Sequence, residues 1–122
     1  MFTIEQRDAL RAFLLRLAAE DARVVAGAAV GSLAVAGGGD RFSDLDLTFA
    51  VADHVPPAAV LEDWTRTLTG ELAAVHLADL ERGPTTYRVF LLPHALQCDL
   101  SLTPAAQFRP AGPLYWLPDS SA

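Results

Sequence analysis

Hydrophobic positions between residues 3 and 20 recur at three- and four-residue steps, at Ile4, Leu10, Phe13, Leu14, Leu17 and Ala18, with Arg7, Arg11 and Glu20 between them. That spacing predicts an amphipathic helix, with Thr3 as its N-cap and Gln6 three residues on. Residues 23 to 30, small or β-branched after Arg23, read as a buried strand that ends at Gly31. The stretch 33 to 36 could begin a short helix, stopped by Gly37, Gly38 and Gly39. From Asp44 the period changes to two: Asp44, Asp46 and Thr48 fall on one side, and Leu45, Leu47, Phe49 and Val51 on the other. This is the signature of a strand with one buried face.

Residues 53 to 57 read as a turn, and Pro57 suits the first turn of a helix reaching about Leu68, ahead of Gly70. Val60, Leu61, Trp64 and Leu68 share one of its faces. Three more strands are predicted, at 73 to 77, 86 to 92 and 96 to 102, separated by Arg82-Gly83-Pro84 and Pro93-His94. The order of elements predicts an α+β or α/β fold in which a mixed β-sheet carries its helices on one side. Residues 1–104 are expected to form the domain, and residues 105–122 a Pro- and Gly-rich tail. Its apolar Leu114, Tyr115, Trp116 and Leu117 have no obvious element to bury them. That leaves a core contact, a second copy of the chain or a further domain as their partner.

Composition narrows the function. The 122 residues suit a single domain, 52% of them hydrophobic and 20% charged. The formal charge of -6 argues against a broad nucleic-acid surface, which needs clustered basic residues. Every apolar run is cut by Gly, Pro or a charge short of the roughly 20 residues that span a bilayer. The N-terminal segment, crossed by Glu5, Arg7, Asp8, Arg11 and Arg16, lacks the apolar stretch of a signal peptide. With one cysteine, Cys98, the chain reads as cytoplasmic, without membrane contact. Cys98 falls on an apolar strand face and reads as a small core residue. His54, His76 and His94 show no ligand spacing and read as loop or surface residues, and Arg88 as an outlying surface position.

The candidate chemistry lies in the carboxylates. Residues two apart on a strand project from one face with Cα atoms about 6.5–7 Å apart, so Asp44 and Asp46 converge. Two ionised carboxylates so placed repel each other unless a cation or a proton intervenes. Oxygen ligands alone favour magnesium or manganese. In LQCDLSL, residues 96–102, Asp99 sits on the polar face of its own strand, and if the two strands are neighbours the three carboxylates meet. Ahead of them, Gly31-Ser32 stands where a strand gives way to the start of a helix, a place that favours an anion.

The stretch VGSLAVAGGGDRFSDLDLTFAV, with the later QCDLSL, resembles the nucleotidyltransferase superfamily of the DNA polymerase β type. Its pattern is hydrophobic-Gly-Ser, then Asp-x-Asp, then a third carboxylate on a later strand. The resemblance covers roughly residues 24 to 102. It implies a nucleotidyltransferase-like fold and transfer of a nucleoside monophosphate from a nucleoside triphosphate, with ATP the first candidate, to a hydroxyl, pyrophosphate leaving. By that resemblance Asp44, Asp46 and Asp99 bind Mg2+ or Mn2+ and are catalytic. Gly31 and Ser32 hold the phosphates, with Ser43 and Arg41 in the same nucleotide-binding set. The acceptor would be a small molecule or a protein side chain. A homo-oligomer or a toxin-like partner is compatible with the same resemblance, and the alternative reading is a non-catalytic nucleotide-binding or antitoxin-like module.

Overall fold

The computed structural model describes residues 1–29, 44–109 and 114–116. The chain runs α1 (Ile4–Ala19), β1 (Val24–Ala29), β2 (Leu45–Val51), α2 (Pro57–Leu72), β3 (Val75–Arg82), β4 (Thr85–Leu92), β5 (Leu96–Pro104) and β6 (Leu114–Trp116), with single 3-10 turns at Pro93–Ala95 and Ala105–Gln107. The strands form one six-stranded sheet in the order β3-β4-β5-β2-β1-β6. β2 and β5 are parallel and the other pairings antiparallel, so the sheet is mixed. The fold is α+β, as the element order predicts.

Local chemistry accounts for the element ends. Thr3 caps α1 through a reciprocal pair: its Oγ1 accepts from the Gln6 N–H at 3.0 Å, and the Gln6 side-chain oxygen accepts from the Thr3 N–H at 2.7 Å. α2 begins at Pro57 but passes through Gly70 to Leu72, and a left-handed Ala73 (φ 56°) closes it. Glycine lowers helix propensity by only about 1 kcal/mol, less than the packing of Val60, Leu61, Trp64 and Leu68 against the sheet returns. β3 runs to Arg82, beyond the predicted end at 77, because its ladder with β4 holds the polar Asp79, Glu81 and Arg82 as firmly as apolar residues. Gly83, at φ 59°, supplies the left-handed step that turns β3 into β4. Leu114–Trp116 pairs antiparallel with β1, so part of the expected tail is an edge strand of the sheet.

Both helices cover one face of the sheet. Leu45, Leu47, Phe49 and Val51 of β2, Leu96, Cys98, Leu100 and Leu102 of β5 and Phe90 and Leu92 of β4 meet Leu10, Leu14 and Ala18 of α1 and Val60, Leu61, Trp64 and Leu68 of α2. Phe49 and Trp64 stand edge to face, with centroids 5.3 Å apart and planes at 86°. Among the described residues, no helix is long and apolar enough to cross a membrane.

Candidate functional site

The helix-free face of the sheet holds the carboxylates. In the parallel β2–β5 pair Leu45 is opposite Cys98, Asp46 opposite Asp99 and Thr48 opposite Ser101. Parallel strands lie about 4.8 Å apart, and residues side by side point to the same face, so Asp46 and Asp99 are lateral neighbours. Both are half-buried, as are Asp44 and Gln97 in the adjoining row, whereas Thr48, Ser101 and Thr103 further along the face are buried. The carboxylates therefore occupy the end of the sheet face that solvent still reaches.

Asp44 has a job of its own. Its backbone N–H donates to the Gln97 carbonyl at 2.9 Å, and its Oδ2 accepts from the Gln97 N–H, also at 2.9 Å. This two-way clasp closes the first rung of the parallel pair and so helps to set the register that places Asp46 beside Asp99. The Gln97 side-chain amide in turn donates to Asp99 Oδ1 at 3.3 Å. Next to them Cys98 points into the core; burial, aided by the charges of Asp99 and Asp46, raises its pKa, and the thiol stays protonated.

An oxygen-only pair of this kind fits a hard divalent cation. Asp46 and Asp99 can face one ion from adjacent strands, and Asp44 keeps one oxygen outside its clasp with Gln97. Among the described residues, no group of three or more His, Cys, Asp or Glu side chains is gathered closely enough to hold a metal. Gly31, Ser32, Arg41 and Ser43, the expected phosphate-binding set, lie outside the described residues.

Two polar clusters stand apart from these carboxylates. Arg88, expected at the surface, is 5% exposed on the helix-side face of β4. Its Nε and Nη2 donate to the two Asp79 oxygens at 2.7 and 2.9 Å, its Nη1 to Thr65 Oγ1 at 2.9 Å, and its Nη2 also to Glu62 at 3.3 Å. An arginine among apolar neighbours keeps its charge there because each end of the guanidinium has a partner. His76 joins from β3, its Nε2 2.7 Å from Asp79 Oδ1. In the second cluster Arg23 binds Asp21 and Asp63, and the Trp64 indole donates to Asp21 at 3.0 Å, tying the turn before β1 to α2.

The hydrogen bonds from Arg88, acting against burial and helped by His76, hold the Asp79 pKa below its ordinary value. At Asp21 burial pushes upward, but the bonds from Arg23 and Trp64 outweigh it and the pKa is again lowered. A carboxylate with a depressed folded pKa contributes stability above its unfolded pKa of about 3.9, and that stability is lost as the pH falls through the folded value. Asp79→Asn should therefore lower the urea midpoint at pH 7 and give a shallower fall of that midpoint between about pH 4 and pH 2. A parallel downward shift at every pH would show that the Asp79 charge is not involved.

Comparison with known proteins adds no identity: no protein-family model and no curated protein matches the chain.

Proposed function

We propose that the chain is a metal-dependent nucleotidyltransferase domain, which moves a nucleoside monophosphate from a nucleoside triphosphate, ATP as first candidate, to a hydroxyl of a small molecule or a protein. The observation that supports this reading most is the lateral pairing of Asp46 with Asp99 on the solvent-reached end of the sheet face. Two carboxylates side by side on neighbouring strands can ligate one hard divalent cation through oxygen. When bound, Mg2+ or Mn2+ would offset charge on the phosphoryl oxygens and ease loss of the acceptor's proton.

The protein's own work is positional. Asp46 and Asp99 would bind the cation from two strands, and the Asp44–Gln97 clasp would keep those strands in register. Gly31, Ser32, Arg41 and Ser43 are the residues to which the resemblance would give the triphosphate. In this reaction the acceptor oxygen bonds to the α-phosphorus as the bond to pyrophosphate breaks, so alignment and charge compensation carry most of the catalysis.

A second reading, a nucleotide-binding or antitoxin-like partner module without turnover, draws on one observation: among the described residues no group of three or more His, Cys, Asp or Glu side chains is gathered closely enough to hold a metal. Titration calorimetry of the protein and of Asp44→Asn/Asp46→Asn with MgATP and the other triphosphates tests both. Magnesium-dependent binding that the double variant loses supports the site, and binding that survives the substitutions removes it. Transfer of label from α-labelled triphosphate to an acceptor then separates the enzyme from the module.

A further inference from the structure

The β3 margin of the same sheet face is open, with apolar residues along most of it and Arg82 at its end. β3 is the terminal strand of the sheet, and all eight of its residues are exposed. Among the described residues no strand pairs with its outer edge, and the core takes no residue from it. In register with β4, Val75 lies opposite Leu91, Ala78 opposite Val89 and Leu80 opposite Tyr87, all on the helix-free face. Val75 is 54% exposed and Leu80 51%. An edge of unpaired backbone groups flanked by exposed apolar side chains is a template for an added strand.

The opposite rim of β3 is acidic. Asp79 and Glu81 alternate with the apolar residues and so fall on the helix side, where Glu62 of α2 reaches the same Arg88 that holds Asp79. Arg88 binds Asp79 and Glu62 and His76 binds Asp79, while Arg82 adds a cation at the end of the strand on the other face. This pattern disfavours a second copy of the chain. Pairing the straight part of the edge, 78–82, antiparallel with itself opposes Asp79 to Glu81 twice, and like charges directly opposite destabilise a sheet.

We infer that the outer edge of β3 docks an extended segment of a partner protein whose residues alternate between branched apolar and basic side chains. Its apolar side would lie beside Ala78 and Leu80, and its lysines or arginines beside Asp79 and Glu81. Main-chain hydrogen bonds along the edge would supply affinity, and the two alternating rows the choice of partner. The bulge between His76 and Ala78 limits the straight pairing to 78–82, so the partner segment is short.

The test uses a short capped, fluorescein-labelled peptide alternating valine with lysine, and a second alternating valine with glutamate, titrated with the full chain at low salt. Anisotropy should show the basic peptide binding at least about tenfold more tightly than the acidic one, with the difference shrinking as salt rises. Backbone amide shifts should move at residues 75–82. Leu80→Lys/Glu81→Lys, two exposed changes whose folding is checked by circular dichroism, should abolish the preference, and Glu81→Lys alone should reduce it. Absence of binding by the basic peptide, equal binding of the two peptides, shifts centred elsewhere, or binding that the double variant leaves intact would each overturn the proposal. So would a concentration-dependent dimer that Leu80→Lys/Glu81→Lys disrupts.

Discussion

Replacing Phe49 with alanine should lower the unfolding free energy by about 3–5 kcal/mol, a large share of the roughly 5–15 kcal/mol that holds a domain together. Phe49 is fully buried at the centre of β2. Its ring meets Trp64 of α2 edge to face, so truncation removes both its burial and one of the contacts that seat α2 on the sheet. β2 lies between β5 and β1, and neither strand can move inward to fill the gap without breaking its ladder. Urea unfolding followed by tryptophan fluorescence measures the loss. The matched control is Leu80→Ala on β3, where 51% exposure predicts a change within about 0.5 kcal/mol. A Phe49→Ala cost no larger than the control would mean that β2 is not the centre of the core.

That contrast marks what the sequence made legible. Alternation in β2 identified both its buried row and its polar row, because a strand with one covered face displays its periodicity directly. The same logic put Asp99 on the polar side of β5. It gave no means of seeing that Thr48, Ser101 and Thr103, on that same side, are buried. Burial there depends on what lies over the face, and strand periodicity is blind to that. Arg88, expected at the surface, is buried for a related reason. Its partners Thr65 and Glu62 lie on α2 and Asp79 on β3, and only the folded arrangement brings a charge and its compensation together.

The candidate site was legible in its residue types and not in its contacts. The Asp-x-Asp spacing and the later Asp pointed to converging carboxylates, but which residue faces which depends on the register of β2 against β5. That register sets Asp46 beside Asp99 and sends Asp44 to the Gln97 backbone. Asp44 thus combines a structural hydrogen bond with its proposed ligand role, a coupling that strand spacing alone could not reveal.

Asp99→Asn should leave the metal-free protein close to wild type in stability and remove most of the stability that ligand adds. In the metal-free protein Asp99 is half-buried, and removing its charge while keeping its shape should change stability by no more than about 1 kcal/mol. Asparagine keeps a side-chain oxygen for the Gln97 amide, so that hydrogen bond need not be lost with the charge. With MgATP at roughly 100 times its dissociation constant, the wild type should gain about 2.7 kcal/mol, because ligand binds only the folded state. The variant, with half of the cation-binding pair neutralised, should gain little of this. Thermal unfolding in EDTA and in MgATP therefore yields two numbers, and the proposed function requires that Asp99→Asn match the wild type in the first and fall well short of it in the second. If Asp99→Asn instead unfolds more readily in EDTA and keeps the full MgATP gain, Asp99 is a structural acceptor for Gln97, and the pair is not a metal site.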